Sequence, residues 1–381
     1  MLNNFCFQNP TKLIMGKGMI AQLSKEIPAD KKIMITFGGG SVKRNGVYEQ
    51  VKEALKNHNT VEFWGIEPNP AIETLREAIA LGKAEKVDFL LAVGGGSVID
   101  GTKLISAGLL YDGDAWDLVK KGKADTTVPL GTVLTIPATG SEMNDGAVIS
   151  CKETKEKYAF FSNFPKFSIL DPEVTFSLPD YQIACGIADT FVHVMEQYLT
   201  KAGESRVMDR WAESILQTLV EIAPKIKENK QDYQNMADFM MCATMALNGF
   251  IALGVSQDWA THMIGHEVTA LTGLTHGHTL AIILPGTMDV LRQQKSEKIM
   301  QVGARVFGVS SGTHDFRINE TIRKTREFFN SLGLTTSLSE NNIGREVIDE
   351  IERRFNERDV HFGEDGLVTG TVAKEILNKV Y

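Results

Sequence analysis

The sequence predicts an α/β first half built on a parallel, Rossmann-like sheet, followed by an all-α second half. Three observations carry this. Short β-rich apolar runs alternate with helical patterns up to about residue 180, glycine-rich turns follow two of those runs directly, and the β signal disappears after SLPDYQIACGIADTF. Such alternation produces βαβ units, whose strands are covered on both faces and therefore read as near-continuous apolar runs.

In order, KKIMITF (31–37) precedes the helical VYEQVKEALKNH, TVEFW (60–64) precedes ETLREAIALGKAEK, and VDFLLAV (87–93) precedes SVIDGTKLISAGLL. GTVLTIP (131–137), AVISC and FSILD extend or flank this sheet, and Gly140-Ser141 in LTIPATGSE opens what reads as another helix. Beyond the boundary, MDRWAESILQTLVEIAPKIKEN, NMADFMMCATMALNGFIALG and INETIRKTREFFNSLG are amphipathic stretches punctuated by Gly and Pro. The expected domains are 1–180 and 181–381, with a cleft between them as the expected place for a ligand.

Composition narrows the function. The 381 residues suit two domains, and 43% hydrophobic with 23% charged content is that of an ordinary globular protein. A net charge of -8 offers no basic face for phosphate backbones, which disfavours nucleic acid as a partner. No apolar run is long enough to span a membrane and MLNNFCFQNPTK lacks a signal pattern, so a cytoplasmic enzyme of small molecules is expected. The four cysteines are scattered without a CxxC pair, which argues against a disulfide framework or a zinc knuckle.

The turns after the strands point to a nucleotide. VDFLLAV runs into Gly94-Gly95-Gly96-Ser97 and then a helix, with Asp100 in its first turn. Glycines there let backbone N–H groups approach a pyrophosphate, and a helix N-terminus favours its charge. The motif is neither GxGxxG nor a P-loop, and a plain tight turn is the competing reading. The same strand-GGGS arrangement recurs at Gly38, Gly39, Gly40 and Ser41, and LTIPATGSE adds the hydroxyls of Thr135 and Thr139. No carboxylate follows the first turn, whereas Lys43 and Arg44 do, which leans towards NADP(H).

The second half carries the chemistry of a metal. Asp189 and His193 lie four residues apart and share one helix face, and four of the eight histidines (His262, His266, His276, His278) fall within seventeen residues. A carboxylate with imidazoles suits Zn, Fe(II), Mn or Ni. His262 and His266 form a second i,i+4 pair, but Glu267 follows the second histidine, so HMIGHE is not a zincin motif. Ordinary buried helix histidines are the alternative for each.

GGGSVID, LTIPATGSE, IADTFVH, THMIGHE and GLTHGHTLAIILP, in this order, resemble the iron-containing alcohol dehydrogenase family over essentially the whole chain. ITFGGGSVK, IEPNP, NDGAVIS and SQDWATHMIGHE are similar to its butanol dehydrogenase and NADPH-dependent aldehyde reductase branch. The resemblance implies a dinucleotide-binding α/β domain, a helical metal-binding domain and one divalent metal, Fe2+ or Zn2+, with Ni2+ or Mn2+ compatible. Carried over, the ligands fall on Asp189, His193, His262 and His276, which leaves His266, and after it His278, as candidates to move a proton. The cofactor motif falls on Gly95, Gly96, Ser97 and Asp100, with Thr135, Thr139, Lys157 and Asn69 matching further contacts. The implied reaction is hydride transfer between NADP(H) and a primary alcohol or aldehyde, in a homodimer. A glycerol dehydrogenase-like polyol oxidoreductase and a metal-dependent phosphoester hydrolase are the alternatives.

Overall fold

The computed structural model describes residues 2–381. They form two compact units, one of Gln8–Leu178 with Gln231–Thr244, the other of residues 2–7 with Pro179–Lys230 and Met245–Tyr381.

The first unit is built on eight strands: β1 (Lys12–Met15), β2 (Lys32–Phe37), β3 (Asn59–Phe63), β4 (Phe89–Gly95), β5 (Leu130–Ile136), β6 (Gly146–Cys151), β7 (Glu156–Phe161) and β8 (Phe167–Leu170). Six of them make one parallel sheet in the order β1-β8-β5-β4-β2-β3. Helices Val47–Ala54, Ile72–Ala84 and Gly96–Gly108 fall where the amphipathic stretches predict them. The sheet is buried on both faces. Ile33, Ile35, Phe37, Leu91 and Val93 enter one core, whereas Met34, Leu90 and Ala92 enter the other, joined there by Met240 from the segment Gln231–Thr244. With Met34 opposite Leu90 and Ile35 opposite Leu91, a one-residue slip would exchange the faces, so the two cores fix the register.

Three local readings change. AVISC does not join the six-stranded sheet; as part of β6 it pairs antiparallel with β7, a strand hidden in the sequence by the polar run KETKEK that enters it. The helix expected after Gly140-Ser141 is a single 3-10 turn, Ser141–Met143, because Asn144 is already extended and β6 begins two residues later. The stretch NMADFMMCATMALNGFIALG is helical only to Ala246, after which Gly249 and Gly254 take positive φ.

The second unit is helical, with no strand among its described residues beyond an isolated bridge between Phe362 and Val368. Among the described residues, no helix is long and apolar enough to cross a membrane. Helices Asp180–Tyr198, Ala260–Thr272 and His276–Val290 matter most, since they carry the acidic and imidazole candidates. The first and third meet backbone to backbone. A Cβ on Gly277 would lie 2.1 Å from the carbonyl oxygen of Cys185 and 2.8 Å from its carbon, so only glycine permits this approach.

Replacing Gly277 by alanine will force these helices apart at a point where no flexible side chain can yield. We expect a stability loss of about 1–3 kcal/mol, seen as a lowered unfolding midpoint, together with weaker retention of divalent metal in equilibrium dialysis.

Candidate cofactor and metal sites

All strands of the main sheet run the same way, so their carboxyl ends share one edge, and the order β5-β4-β2-β3 sets the loops after them side by side. The chain leaves β2 towards β3 and β4 towards β5, making the edge between β2 and β4 a topological switch point, the usual place for a ligand in open α/β sheets. The two GGGS turns occupy those two strand ends. In the second, the backbone of Gly96 packs so closely on Thr139 that a Cβ would sit 2.4 Å from its Oγ1 and Cγ2. In the first, Gly40 takes φ +93° ahead of the exposed Ser41, and the Gly38 carbonyl accepts from Gly65 N at 3.3 Å.

Residues distant in sequence converge here. The Asn69 N–H donates to Ser97 Oγ at 3.3 Å, and Lys157 Nζ donates to Asn69 Oδ1 at 2.9 Å. Asn69 stands at φ 55°, and Lys157 is buried because β7 places it against this edge. Thr135 is buried at the end of β5, and Thr139 Oγ1 accepts from Ser141 N at 3.2 Å. Asp100 faces inward, accepting from Ser141 Oγ at 2.6 Å and Val148 N at 3.0 Å, so it braces the loop that carries Thr139. Lys103, one turn further along the same helix, belongs to no motif that marks it in the sequence. Its Nζ is fully enclosed and donates to Ser141 O at 2.8 Å, Ser141 Oγ at 2.9 Å, Asn144 Oδ1 at 3.0 Å and Gly146 O at 2.7 Å. Burial pushes this ammonium down to about 8 against the pull of Asp100.

In the helical unit, ligating atoms of Asp189, His262 and His276 all lie within 4.8 Å of one another. His262 Nε2 is 3.7 Å and His276 Nε2 4.0 Å from Asp189 Oδ1. His193 stands just outside this triad, with Nδ1 3.6 Å from Asp189 Oδ1 and its ring stacked on His262 at 4.5 Å. His193 Nδ1 and His262 Nε2 are buried without a hydrogen-bond partner. Burial pushes His193 down to about 4, despite Asp189, so at neutral pH it is an uncharged donor.

Glu196, absent from the sequence-derived candidates, orients His262. Its carboxylate binds His262 Nδ1 and accepts from the backbone N–H of Thr261 at 2.5 Å and of His262 at 3.1 Å. Burial opposes charge on His262, but the carboxylates of Glu196 and Asp189 outweigh it and raise the ring. With its proton held on Nδ1, His262 turns Nε2 towards Asp189. The signal was present: DTFVHVME places Glu196 seven residues after Asp189, two turns along the same face.

The two proton candidates differ in setting. The His266 ring lies 5.0 Å from that of His276 and 6.3 Å from that of His262, beside the triad. Both nitrogens of His278 point elsewhere, Nδ1 to Tyr181 Oη at 3.1 Å and Nε2 to the Thr335 carbonyl at 3.0 Å.

Glycine turns at a switch point make a candidate nucleotide site, and the buried carboxylate–imidazole cluster makes a candidate metal site. Residues 10–172 match the iron-containing alcohol dehydrogenases and residues 183–378 the C-terminal part of that family, and the chain belongs to it. It is 47% identical to the NADPH-dependent aldehyde reductase YqhD of Escherichia coli, covering 98% of this chain and 99% of the relative. A probable NADH-dependent butanol dehydrogenase of Bacillus subtilis is 44% identical over 92% of each chain. The crystal structure of the E. coli protein superposes with a TM-score of 0.98 at 46% identity, covering 100% and 99% of the two chains.

Changing Glu196 to glutamine keeps the size of the side chain but removes the charge behind His262. Affinity for divalent metal should fall about 10–100-fold, measured by competition with a chromogenic chelator, while the circular dichroism spectrum stays that of the parent.

Proposed function

We propose that this chain is a metal-dependent, NADP(H)-linked aldehyde reductase, interconverting primary aldehydes and alcohols. The observation that carries the reading is the Asp189, His262 and His276 triad, in a chain 47% identical to an NADPH-dependent aldehyde reductase.

Asp189, His193, His262 and His276 would hold one divalent ion. The donor set fits: one carboxylate with three imidazoles suits Fe2+ or Zn2+ and admits Ni2+ or Mn2+, and the partnerless Nδ1 of His193 and Nε2 of His262 are what a ligand set leaves open. The cofactor cradle also fits: a Cβ on Gly39 or Gly40 would meet no protein atom within 4 Å, so the first glycine turn is open to a ligand, while Gly96 in the second packs on Thr139. When bound, the ion supplies Lewis acidity towards a carbonyl oxygen and the nicotinamide supplies the hydride.

The chain's residues do the rest. The turn from Gly95 to Ser97 presents backbone N–H groups at the start of helix Gly96–Gly108, a place for a pyrophosphate. Lys157 and Asn69, joined at 2.9 Å, add a cation and an amide there, and Thr135 and Thr139 add hydroxyls. Asp100 and Lys103 hold the Thr139 loop in register. Gly38, Gly39 and Ser41 leave room for a 2′-phosphate, with Lys43 two residues on. Glu196 keeps a proton on His262 Nδ1 and so fixes the ring. His266 is the better placed proton carrier, because His278 must keep a proton on Nε2 to donate to the Thr335 carbonyl.

Absorbance of NADPH should fall when butanal is added to metal-loaded protein, stop after chelation, and resume with Fe2+ or Zn2+. NADH in place of NADPH should be the poorer substrate. The Asp189→Ala protein should fold, lose its metal and lose about 10³-fold or more in turnover, as expected for removing several kcal/mol of charge stabilisation. Full activity in that variant would refute the ligand assignment, and butanal-independent phosphoester hydrolysis would refute the reaction.

A further inference from the structure

One aromatic cluster at the carboxyl edge of the sheet is not used by the reading above. Phe37, the last residue of β2, and Trp64, just past the end of β3, stack with ring centroids 4.1 Å apart at 14°. Directly after Trp64 the chain bonds to the first glycine turn, Gly65 N to Gly38 O at 3.3 Å and Ile66 N to Phe37 O at 3.1 Å. The indole therefore stands at the base of the Gly38–Ser41 turn.

Its polar edge is fixed from the other side. Trp64 Nε1 donates to Glu62 Oε2 at 2.9 Å, and Glu62 also accepts from Tyr48 Oη at 3.1 Å. Lys52 meets the charge of Glu62 at 3.0 Å. Pinned by their polar atoms, the two rings offer their faces to Lys43, whose Nζ lies 4.0 Å from the Trp64 ring centroid and 5.3 Å from that of Tyr48.

An exposed lysine is a poor selectivity element by itself, because fixing its long stem against a phosphate costs rotamer entropy. A π face restrains the ammonium while leaving its N–H donors for an anion, and a neutral ring does not cancel its charge as a carboxylate would. We propose that Trp64 is a positioning residue that holds Lys43 ready for the 2′-phosphate of the cofactor. This rests on the NADP(H) reading and adds to it a residue that need not touch the phosphate.

The test is binding, measured by isothermal titration of the full chain with 2′,5′-ADP and with 5′-AMP, neither of which can react. Wild type should bind 2′,5′-ADP more tightly. Lys43→Met, an exposed change that leaves the fold intact, should cut that preference about tenfold, as for a lost charge-assisted contact. Trp64→Leu should cut it about 2–5-fold, the equivalent of an exposed cation–π contact, with 5′-AMP binding unchanged, whereas Trp64→Phe, which keeps a ring face, should retain most of it. The double variant Lys43→Met/Trp64→Leu should be no worse than Lys43→Met, since the ring acts only through the lysine. A wild-type preference that survives Trp64→Leu, a loss in Trp64→Phe as large as in Trp64→Leu, losses that multiply in the double variant, or equal loss of both ligands would overturn the clamp and leave the NADP(H) reading standing. No preference in wild type would overturn both.

Discussion

The geometry of the candidate metal site depends on one contact, the backbone of Gly277 against the carbonyl of Cys185. Asp189 stands one turn beyond Cys185 on helix Asp180–Tyr198, and His276 immediately precedes Gly277 on helix His276–Val290. A side chain at 277 would hold the helices apart, and His276 Nε2 could not come within 4.0 Å of Asp189 Oδ1. The third helix is set differently. Glu196 accepts from the N–H groups of Thr261 and His262, at the start of Ala260–Thr272, so the carboxylate that orients the His262 ring also anchors the helix that carries it. Steric closeness on one side and a buried carboxylate on the other thus fix the triad.

The α/β unit solves a comparable problem with a lysine. The loop 138–146 must present Thr139 to the Gly96 backbone, yet it contains only one turn of 3-10 helix. Lys103 replaces regular hydrogen bonding, gathering four oxygens of residues 141–146 around one ammonium much as a bound cation would. Asp100 grips Ser141 and Val148 from the same helix, so the helix that begins at the glycine turn also organises the neighbouring loop. Enclosing a lysine is unfavourable unless each donor finds an acceptor. Here the acceptors are supplied, and a flexible loop acquires a defined shape.

What the sequence discloses follows from the range of each interaction. Doubly covered strands such as VDFLLAV and FSILD announce themselves because burial on both faces demands apolar residues at every position. The i,i+4 pair of Asp189 and His193 is legible for the same local reason, and the glycine turns because few other residues fit them. Strand β7 is not legible because the polar run KETKEK leads into it, and the burial of Lys157 against Asn69, 88 residues away, leaves no periodicity. Glu196 was lost although its spacing was favourable, since a glutamate on an amphipathic helix ordinarily faces solvent and only the approach of a second helix gives it a histidine. Spacing alone made His262 and His266 equivalent. The separation arises in three dimensions, where His262 joins Asp189 and His276 in one cluster while His266 stands beside it.

Burial of charge does not by itself mark the functional residues of this chain. Lys295 is buried against Asp258 at 2.7 Å and the Leu199 carbonyl at 2.6 Å, and Glu267 is buried between Arg354 and Arg358. Those groups meet complementary partners, as buried ions must in a structural role. The histidines of the triad region differ in kind: His262 is satisfied on Nδ1 and left open on Nε2, and His193 is left open on Nδ1. His58 has a similar pattern in the α/β unit, with Nε2 on the Ile27 carbonyl at 3.1 Å and Nδ1 without a partner, so one open ring nitrogen does not by itself mark a ligand. The open nitrogens of His193 and His262 differ in lying 3.6 and 3.7 Å from one carboxylate oxygen, that of Asp189, as the atoms of a ligand set would. The distinction between charges that are closed and donors that are held open around one carboxylate, rather than burial alone, separates the candidate metal centre from the ionic struts around it.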